Sequence, residues 1–299
     1  MGSPDILTLG EPLIEMVRLP DQGGAPVYSQ GIAGDVLNVA VAAARQGGSV
    51  GLLGAVGGDP FGQDVLAFCA GEGIDTRAVL VLGDDPTGVA FIAPDPAERR
   101  FFYARRGSAA SFYGPDDLPE DLIANAKVIH VSAISQAISA SMRKAVRRAA
   151  EIARANDTLV SYDLNLRLKL WTLEQARRAI EDFLPFADIV LPSDDEAALL
   201  VGSEDAHLQL AHFSRHGPAW GALKRGANGA ILQGRGAQHV IAAPKVRALD
   251  SAGAGDSFAG TFLAHLLASG DGLSAARAAT HVAAQTVTGL GATAPIPRL

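Results

Sequence analysis

Short aliphatic runs alternate with longer alanine-rich segments along most of this chain, and this alternation limits the folds that it can adopt. Short aliphatic runs are typical of buried strands, whereas the longer segments have the spacing of amphipathic helices. A strand followed by a helix, repeated many times, is the pattern of a parallel sheet built from βαβ units. Strands are predicted at 6–9, 50–56, 128–132, 159–163 and 188–191, and helices at 35–46, 61–72, 141–155, 173–184, 256–269 and 273–290.

No linker or low-complexity stretch divides the chain, so we expect a single α/β domain over residues 1–299. Its centre would be a doubly wound, mostly parallel sheet flanked by helices.

Two segments interrupt the alternation: about 17–32, which is rich in Gly, Pro and Gln, and about 89–106, where two alternating strands flank an Asp-Pro turn. They predict a small antiparallel β lid over the carboxyl edge of the sheet, where open α/β proteins bind their ligands.

The charge and cysteine content argue against several classes of protein. Lys and Arg number 25 against 32 Asp and Glu, a net charge of −7, which argues against nucleic acid or an anionic membrane surface as a partner. The single cysteine, Cys69, excludes an intramolecular disulfide and a cysteine-based zinc site. No apolar run approaches the ~18 residues of a membrane helix, and residues 1–10 lack the features of a secretory signal. We therefore predict a cytoplasmic protein that meets anionic ligands with local positive charge.

The segment DSAGAGDSF at 250–258 is a candidate for chemistry because an apolar helical pattern follows it. Its glycines would let the N–H groups of Gly253, Ala254, Gly255 and Asp256 point into one concavity at a helix N-terminus, which is an anion site. The Asp256 carboxylate could accept the proton of a hydroxyl that attacks a bound phosphoryl group. The alternative is an ordinary N-capping Asp after a glycine-rich loop. The chain has neither a Rossmann fingerprint nor a GxxxxGKS/T phosphate-binding loop.

Two other groups of side chains suit a polar or anionic ligand. Asp35 and Asn38 are three residues apart in the first turn of a predicted helix, where both can hydrogen-bond polyol hydroxyls. Tyr103 and Arg105 share one face of the predicted lid hairpin, and Arg167 follows a predicted strand. A guanidinium offers a planar fork to a carboxylate or phosphate. The alternatives are a helix cap at Asp35 and a solvated cluster of charges on an edge strand.

Three histidines lie close together in the sequence, at His207, His212 and His216. The i, i+4 pair among them could hold a metal ion, but the segment has the pattern of a surface helix and we favour that interpretation. His130 lies within a predicted strand and Cys69 within an apolar helix, so we expect both to pack in the core.

Together these segments resemble the ribokinase/PfkB superfamily of sugar kinases over about residues 6–297. DSAGAGDSF is similar to the superfamily's C-terminal signature, with Asp256 in the place of its catalytic base and Gly253, Ala254 and Gly255 in its anion hole. AGDVLNVAVAAARQG and AVGGDPFG resemble its N-terminal signature, and LKRGANGAIL, SYDLNLRLKLW and PSDDEAALL resemble three further blocks. The resemblance implies a ribokinase-like fold and an enzyme that transfers a phosphoryl group to a sugar.

Several details resemble one subgroup of that superfamily, the 2-keto-3-deoxygluconate kinases. They are Gly-Asp-x-x-Asn at 34–38, FFYARR at 101–106 and D-x-N-x-R-x-x-L-W at 163–171. The resemblance implies ATP-dependent phosphorylation of the 6-hydroxyl of a sugar acid. The substrate-binding residues that it implies are Gly34, Asp35, Asn38, Tyr103, Arg105, Arg167 and Asp256.

The resemblance also implies a site for ATP and Mg²⁺. The residues at matching positions are Asn165, Ser193, Lys224, Gly226, Asn228, Gly229, Gly253, Gly255 and His281. Glu196 would organise Mg²⁺ indirectly, and the region of Asp250 is where the superfamily pattern allows a monovalent cation such as K⁺.

The chain departs from the superfamily pattern at four positions. Ser251 and Ala252 replace two common threonines, Ser193 replaces the asparagine of an N-x-x-E motif, and Ala33 replaces a glycine. None of these changes removes the implied base or the backbone amides of the implied anion hole.

Two other functions stay open from the sequence. One is a fructokinase or ribokinase-like enzyme for a neutral sugar, and the other is a non-catalytic sensor of a sugar or nucleotide on the same fold. We also expect a homo-oligomer, a dimer or larger, because an exposed edge of the lid sheet could pair with a second copy.

Overall fold

The structure, a computed structural model, describes residues 2–93 and 100–299. In this part of the chain the strands are β1 (Ile6–Leu9), β2 (Leu13–Gln22), β3 (Ala25–Ala33), β4 (Val50–Gly57), β5 (Val79–Leu82), β6 (Val89–Ala93), β7 (Arg100–Ala104), β8 (Val128–Ser132), β9 (Leu159–Asp163), β10 (Ile189–Val190), β11 (Trp220–Lys224), β12 (Ala230–Gly234) and β13 (Ala237–Ile241). The helices are α1 (Asp35–Arg45), α2 (Pro60–Gly71), α3 (Ala109–Phe112), α4 (Glu120–Ala124), α5 (Ala133–Ile138), α6 (Ala140–Ala155), α7 (Leu173–Phe183), α8 (Asp194–Val201), α9 (Ala206–Ser214), α10 (Ala254–Ser269) and α11 (Gly272–Thr286).

The larger sheet has nine strands in the order β13-β12-β11-β10-β9-β8-β1-β4-β5. The strands from β11 to β5 are parallel, and β12 and β13 add an antiparallel edge. Every residue of β1, β4 and β8 is buried, as expected for parallel strands covered by helices on both faces. The predicted doubly wound, mostly parallel α/β sheet is confirmed.

Two apolar clusters cover the two faces of this sheet. Alternate residues of β1 point to opposite faces, so Ile6 packs in one cluster and Leu7 in the other. Helices α1, α2, α10 and α11 contribute to the cluster with Ile6, whereas α3 to α9 contribute to the cluster with Leu7. Within residues 2–93 and 100–299, no helix combines the length and the apolar character that crossing a bilayer needs.

Helices α1 and α10 approach each other unusually closely. A Cβ atom at Gly260 of α10 would lie 2.2 Å from the carbonyl oxygen of Val39 and 2.7 Å from Cβ of Ala42 on α1. Only glycine fits at this contact, because any side chain would force the two helix backbones apart. The two helices are therefore held together with little room for relative displacement.

The smaller sheet is the predicted lid. Its four strands have the order β3-β2-β6-β7 and start at Leu13, four residues earlier than the sequence pattern predicts. The pairs β2–β3 and β6–β7 are antiparallel, but the central pair β2–β6 is parallel, so the lid sheet is mixed and not purely antiparallel. Parallel pairing is possible because α1, β4, α2 and β5 connect the two halves of the lid, which a short hairpin turn could not do. The predicted Asp-Pro turn lies outside the described residues.

A single domain over residues 1–299 stays a prediction. The lid sheet and the larger sheet nevertheless share short connections, since β1 leads into β2 and β3 leads into α1 within a few residues. Strand β2 thus begins just after the carboxyl end of β1, and β3 ends just before α1.

Candidate active site

The carboxyl edge of the larger sheet carries a group of polar side chains. Strand β8 ends at Ser132, β9 at Asp163 and β11 at Lys224, and the carboxyl ends of parallel strands lie at one edge of a sheet. Helix α1 begins at Asp35 and α10 at Ala254, and hydrogen bonds join the first turns of both helices to this edge. The site is therefore built at the place where open α/β sheets bind ligands.

Helix α10 begins directly after a tight turn that requires glycine. Gly253 caps the helix with a φ of 71°, and a Cβ atom there would lie 2.3 Å from the carbonyl oxygen of Ala292. Gly255 and Asp256 occupy the first helical turn, where backbone N–H groups have no acceptor within the helix. The turn predicted from DSAGAGDSF is thus formed at a helix N-terminus, where backbone N–H groups can bind anions, and the anion site itself stays a prediction.

Two side-chain amides hold the carboxylate of Asp256. Nδ2 of Asn38 donates to Oδ2 at 2.7 Å, and Nδ2 of Asn165 donates to Oδ1 at 3.2 Å. Burial raises the pKa of Asp256 to about 7 together with the nearby charge of Asp35, while the hydrogen bond from Asn38 acts in the opposite direction. A carboxylate with this pKa can gain and lose a proton near neutral pH, which suits a general base.

The side-chain amides of Asn38 and Asn165 each have an oxygen that can accept a hydrogen bond from a ligand. Oδ1 of each amide is buried and has no hydrogen-bond partner in the part of the chain that the structure describes. A buried acceptor without a donor is costly, so a ligand hydroxyl that donates to it would stabilise the complex. Asn165 adopts a positive φ of 29°, a conformation that few residues other than glycine adopt.

Asp35 lies at the start of α1 with its carboxylate facing the end of β8. Oγ of Ser132 donates to Oδ2 of Asp35, while burial raises the pKa of Asp35 and the charge of Arg105 opposes that rise. The preceding Gly34 has a φ of 129°, and a Cβ atom there would lie 2.4 Å from the carbonyl oxygen of Glu11. Glycine at position 34 is therefore required by the chain's own backbone.

Lys224 places a positive charge beside the first turn of α10. Its Nζ forms an ion pair with Oδ2 of Asp163 at 2.6 Å, and both side chains are almost fully buried. The same Nζ lies 3.4 Å from where a Cβ atom at Gly255 would stand. The predicted anion site is thus bordered by a lysine whose charge is held in place by a buried aspartate.

Glu196 of α8 is engaged by backbone and side-chain donors. Oε1 accepts from the Leu166 N–H at 2.9 Å and lies 3.3 Å from Nη1 of Arg167, and Oε2 accepts from the Ser193 N–H at 3.4 Å. The carboxylate fixes the chain around Asn165, which in turn holds Asp256. This arrangement is compatible with an indirect role toward Mg²⁺, which stays a prediction.

Arg105 forms a buried ion pair that the sequence did not predict. Its Nη2 contacts Oε2 of Glu11, whose side chain has no exposed surface, and Oγ of Ser108 donates to Oε1 of Glu11 at 2.5 Å. The guanidinium also lies beside Tyr103, with Cζ 5.7 Å from the centre of the ring. Nε of Arg105 is buried and has no hydrogen-bond partner among residues 2–93 and 100–299. One donor of the guanidinium is therefore left unsatisfied by the described residues.

The segment after Lys224 forms a short turn of 3-10 helix that contains Gly226 and Asn228. Gly229 ends this turn with a φ of 81°, and a Cβ atom there would lie 1.9 Å from the carbonyl oxygen of Ile241. The turn therefore needs glycine at 229 for its own packing, independently of a nucleotide. His281, also predicted to lie at the nucleotide, is an exposed side chain on α11.

Asp250 orders the loop that leads into α10. Its Oδ1 accepts from the Ala252 N–H at 2.7 Å, and its Oδ2 accepts from the Gly291 N–H at 3.1 Å. The aspartate thereby joins the loop before α10 to the chain's C-terminal segment. Its predicted position next to a monovalent cation stays a prediction.

The two residues expected in the core are buried. His130 has only 1% of its surface exposed, burial lowers its pKa to about 4, and its Nδ1 lies 3.0 Å from Oγ of Ser161. Burial likewise raises the pKa of the Cys69 thiol to about 12, so the thiol is protonated at neutral pH. Both predictions are confirmed.

Sequence reasoning missed three side chains of this site: Glu11, Ser132 and Asp163. Each is a polar residue at, or within two residues of, the carboxyl end of a buried aliphatic strand. That position is itself a signal, because the carboxyl ends of parallel strands meet where ligands bind.

Comparison with known proteins decides the family. The model of the pfkB family carbohydrate kinases matches residues 4–299. This chain belongs to the pfkB family of carbohydrate kinases. A relative from Thermoproteus tenax, a 2-dehydro-3-deoxygluconokinase, is 34% identical over 273 residues, which cover 89% of this chain and 83% of the relative. Fructokinase-1 of Zea mays is 32% identical over 275 residues, which cover 89% and 84% of the two chains.

Solved structures of pfkB-like kinases have the same fold. A protein of E. coli assigned as a ribokinase II, in complex with ATP and Mg²⁺, superimposes with a TM-score of 0.91 at 27% identity, covering 99% of this chain and 96% of that one. A double mutant of the Vibrio cholerae O395 fructokinase, with fructose, ADP and a potassium ion bound, gives a TM-score of 0.86 at 25% identity and covers 99% and 96%. The predicted ribokinase-like fold is confirmed.

Replacing Asn38 with Ala should change the pH dependence of this carbohydrate kinase. If Asp256 must be ionised to react, kcat/KM rises with pH through about 7, the pKa of that carboxyl. The Asn38 amide stabilises the ionised form, so its loss should move the midpoint of this rise to higher pH by roughly one unit. Steady-state kinetics between pH 5.5 and 9 would measure the shift. Asn156→Ala, which removes a surface amide at the end of α6, is the control, and an unchanged midpoint in Asn38→Ala would contradict this role of Asn38.

Proposed function

We propose that this chain transfers the γ-phosphoryl group of ATP to the 6-hydroxyl of 2-keto-3-deoxygluconate. The observation that carries the proposal is the position of Asp256, a carboxyl with a pKa of about 7 in the first turn of α10, directly after the glycine turn at Gly253. The proposed base and the proposed anion site would thereby lie within one helical turn. An in-line transfer of a phosphoryl group to a hydroxyl uses a residue that orients the hydroxyl and takes its proton, and donors that stabilise the oxygens in transfer.

In the proposed reaction, Asp256 accepts the proton of the attacking hydroxyl. Near neutral pH a large share of the enzyme carries the ionised carboxylate, because the pKa of Asp256 is about 7. The amides from Gly253 to Asp256 would donate to the oxygens of the group in transfer, and Nζ of Lys224 would add positive charge at the same place. Asn38 and Asn165 would keep the carboxylate directed at the hydroxyl.

The residues present fit ATP and Mg²⁺. The helix N-terminus of α10 and Lys224 suit the phosphates. The carboxylates of Asp163 and Glu196 are the oxygen donors that Mg²⁺ prefers, directly or through water. When bound, Mg²⁺ supplies positive charge that offsets the charge of the phosphates. We propose that Asn165, Ser193, Gly226, Asn228, Gly229 and His281 line the nucleotide side, and that K⁺ binds near Asp250.

The sugar acid is proposed from the positive charges around Asp35. Arg105 has a buried Nε without a partner among the described residues, Tyr103 lies beside its guanidinium, and Arg167 lies near Glu196. A carboxylate that accepts from Arg105 would satisfy the free donor, and substrate hydroxyls would donate to Asp35 and to Oδ1 of Asn38. The resemblance to a 2-dehydro-3-deoxygluconokinase supports this choice.

A neutral sugar is the second candidate, and the Glu11 contact favours it. Glu11 already offsets the charge of Arg105, so the pocket does not need an anionic substrate to balance that charge. The fructokinase relatives, at 31–32% identity, are nearly as similar as the sugar acid kinase. A non-catalytic sensor is disfavoured because the carboxyl proposed as the base and the glycine turn before it are both present.

We further propose a cytoplasmic homo-oligomer that associates through the lid. The lid carries exposed aromatic side chains, with the rings of Tyr28 and Phe91 6.0 Å apart and those of Phe91 and Phe102 6.1 Å apart. Phe102 is 66% exposed, which is unusual for a phenylalanine on a sheet unless a partner covers it. The mass of the purified protein in solution, compared with that of Phe102→Ser, would test this association.

An assay of ADP release with a panel of sugars tests the proposed function. We expect ATP and Mg²⁺ to support turnover of 2-keto-3-deoxygluconate with a kcat/KM at least tenfold above that for fructose, ribose or adenosine, because a lost charged contact costs about 1.4 kcal/mol or more. Comparing kcat/KM for the galactonate epimer of the sugar acid would show how much the C4 hydroxyl contributes to recognition. A preference for fructose would favour the neutral-sugar kinase, and no turnover of any sugar would favour the sensor.

A further inference from the structure

Three metal-ligating side chains from two helical segments converge on the side of the sheet formed by α3 to α9. Glu181 lies near the end of α7, His212 on α9 and His216 one turn later. Nε2 of His212 is 2.7 Å from Oε1 of Glu181, and Nε2 of His216 is 3.4 Å from Oε2. The three ligand atoms all lie within 4.8 Å of one another. None of these side chains belongs to the active site described above.

The spacing of these atoms suits a transition metal ion. Two imidazole nitrogens and a carboxylate oxygen are a common donor set for zinc, at metal–ligand distances of about 2.0–2.2 Å. Ligand atoms around a tetrahedral ion at such distances stand roughly 3.3 Å apart, close to the 3.4 Å between His216 and Glu181. The contact between Nε2 of His212 and Oε1 of Glu181, at 2.7 Å, must open by a fraction of an ångström. The side chains are partly buried, between 16% and 33% exposed, so they are already restricted in orientation.

We propose that Glu181, His212 and His216 form a binding site for a divalent transition metal ion of the zinc class, with water completing the coordination. The site would join α7 to α9, two helices that are separated in sequence by α8. His212 and His216 are the i, i+4 pair of the sequence analysis. The third ligand, Glu181, lies on a helix about thirty residues earlier. The proposal does not depend on the substrate of the kinase.

Arg215 opposes the metal in the present arrangement. Its guanidinium donates to Nδ1 of His212, so the proton of that ring lies on Nε2, the nitrogen that faces Glu181. A metal ion on Nε2 requires the proton to move to Nδ1, where a guanidinium cannot accept it. Arg215 is exposed and must turn away when the metal binds. Arg215 therefore competes with the metal ion for His212, and replacing Arg215 should strengthen metal binding.

The test is titration of the full-length, tag-free protein with Zn²⁺ by calorimetry after treatment with a chelator, and with Co²⁺ followed by its visible absorption. We expect one ion per chain, a rise in Tm with Zn²⁺, and the Co²⁺ spectrum of a tetrahedral site. Glu181→Gln and His216→Gln should weaken binding by about tenfold or more, since each removes one ligand. Arg215→Gln should bind more tightly than the parent.

His207→Gln is the matched control, because His207 lies on the same helix α9 but faces Gln238. Circular dichroism would show that each variant is folded. The proposal is overturned if the parent protein binds no stoichiometric Zn²⁺. It is also overturned if Glu181→Gln and His216→Gln bind as tightly as His207→Gln, since binding would then use other groups.

Discussion

Replacing Asp256 with Asn is expected to lower kcat by about 10²- to 10⁴-fold, the usual contribution of a positioned general base. The amide keeps the size of the side chain and can still accept from one of the two neighbouring amides, Asn38 or Asn165, but it cannot accept the proton of the attacking hydroxyl. The affinity for ATP should change little, because the amides of the glycine turn belong to the backbone. ADP release and nucleotide binding by calorimetry would measure the two quantities. Asp21→Asn, an exposed site on the lid, is the control.

The same substitution should stabilise the folded protein at neutral pH. The pKa of Asp256 is raised to about 7 from its usual value near 3.8, so between these pH values the folded state binds the proton more tightly than the unfolded state. The stability contributed by this group is fully present below pH 4 and is lost as the pH rises through 7. The Tm of Asp256→Asn should therefore match that of the parent at pH 4 and exceed it at pH 8. A difference in Tm that does not grow with pH, or near-normal turnover of the variant, would argue against the proposed role.

Arg105→Gln should reduce kcat/KM for the sugar acid by about 10²-fold, since a hydrogen bond between charged groups contributes about 1.5–3 kcal/mol. The loss for fructose, which has no carboxylate, should be much smaller. The substitution also leaves the fully buried Glu11 without its counter-charge, which should lower the free energy of unfolding by about 3 kcal/mol. Activity and stability would thus change together, so a second variant is needed to separate them.

The double variant Glu11→Gln/Arg105→Gln separates folding from recognition. Neutral side chains at both positions remove the unpaired buried charge, so we expect most of the lost stability to return. The preference for the sugar acid should not return, because the guanidinium is still absent. Chemical denaturation and the substrate panel would measure the two effects. An equal loss for fructose and the sugar acid in Arg105→Gln would assign Arg105 to the fold and favour the neutral-sugar kinase.

The sequence predicted the parts of the fold and site that depend on local pattern. The strands at 128–132 and 159–163 appear at the predicted positions because short segments rich in β-branched and aromatic residues favour buried strands. The glycine turn before Asp256 was predictable for the same reason, since backbone conformation at Gly253 is a local property.

Contacts between distant residues were not predictable. Ser108 and Glu11 are 97 residues apart, and Asn38 and Asp256 are 218 residues apart, so no local pattern relates them. Tertiary packing alone decides that Arg105 is paired with Glu11 instead of being fully open to a ligand. The parallel pairing of β2 with β6 was missed for a similar reason, because hairpin-like sequence patterns say nothing about which strands meet afterwards.

The close approach of α1 and α10 at Gly260 has a consequence for how new substrates arise in such an enzyme. The proposed base Asp256 on α10 and the proposed hydroxyl-binding side chains on α1 lie on two closely packed helices, whereas Tyr103 and Arg105 lie on and just after β7 of the lid sheet. Mutations in the lid can alter which sugar is accepted without moving the base. We therefore expect enzymes of this kind to gain new sugar substrates by changes in lid residues, while the residues at the reaction centre stay the same.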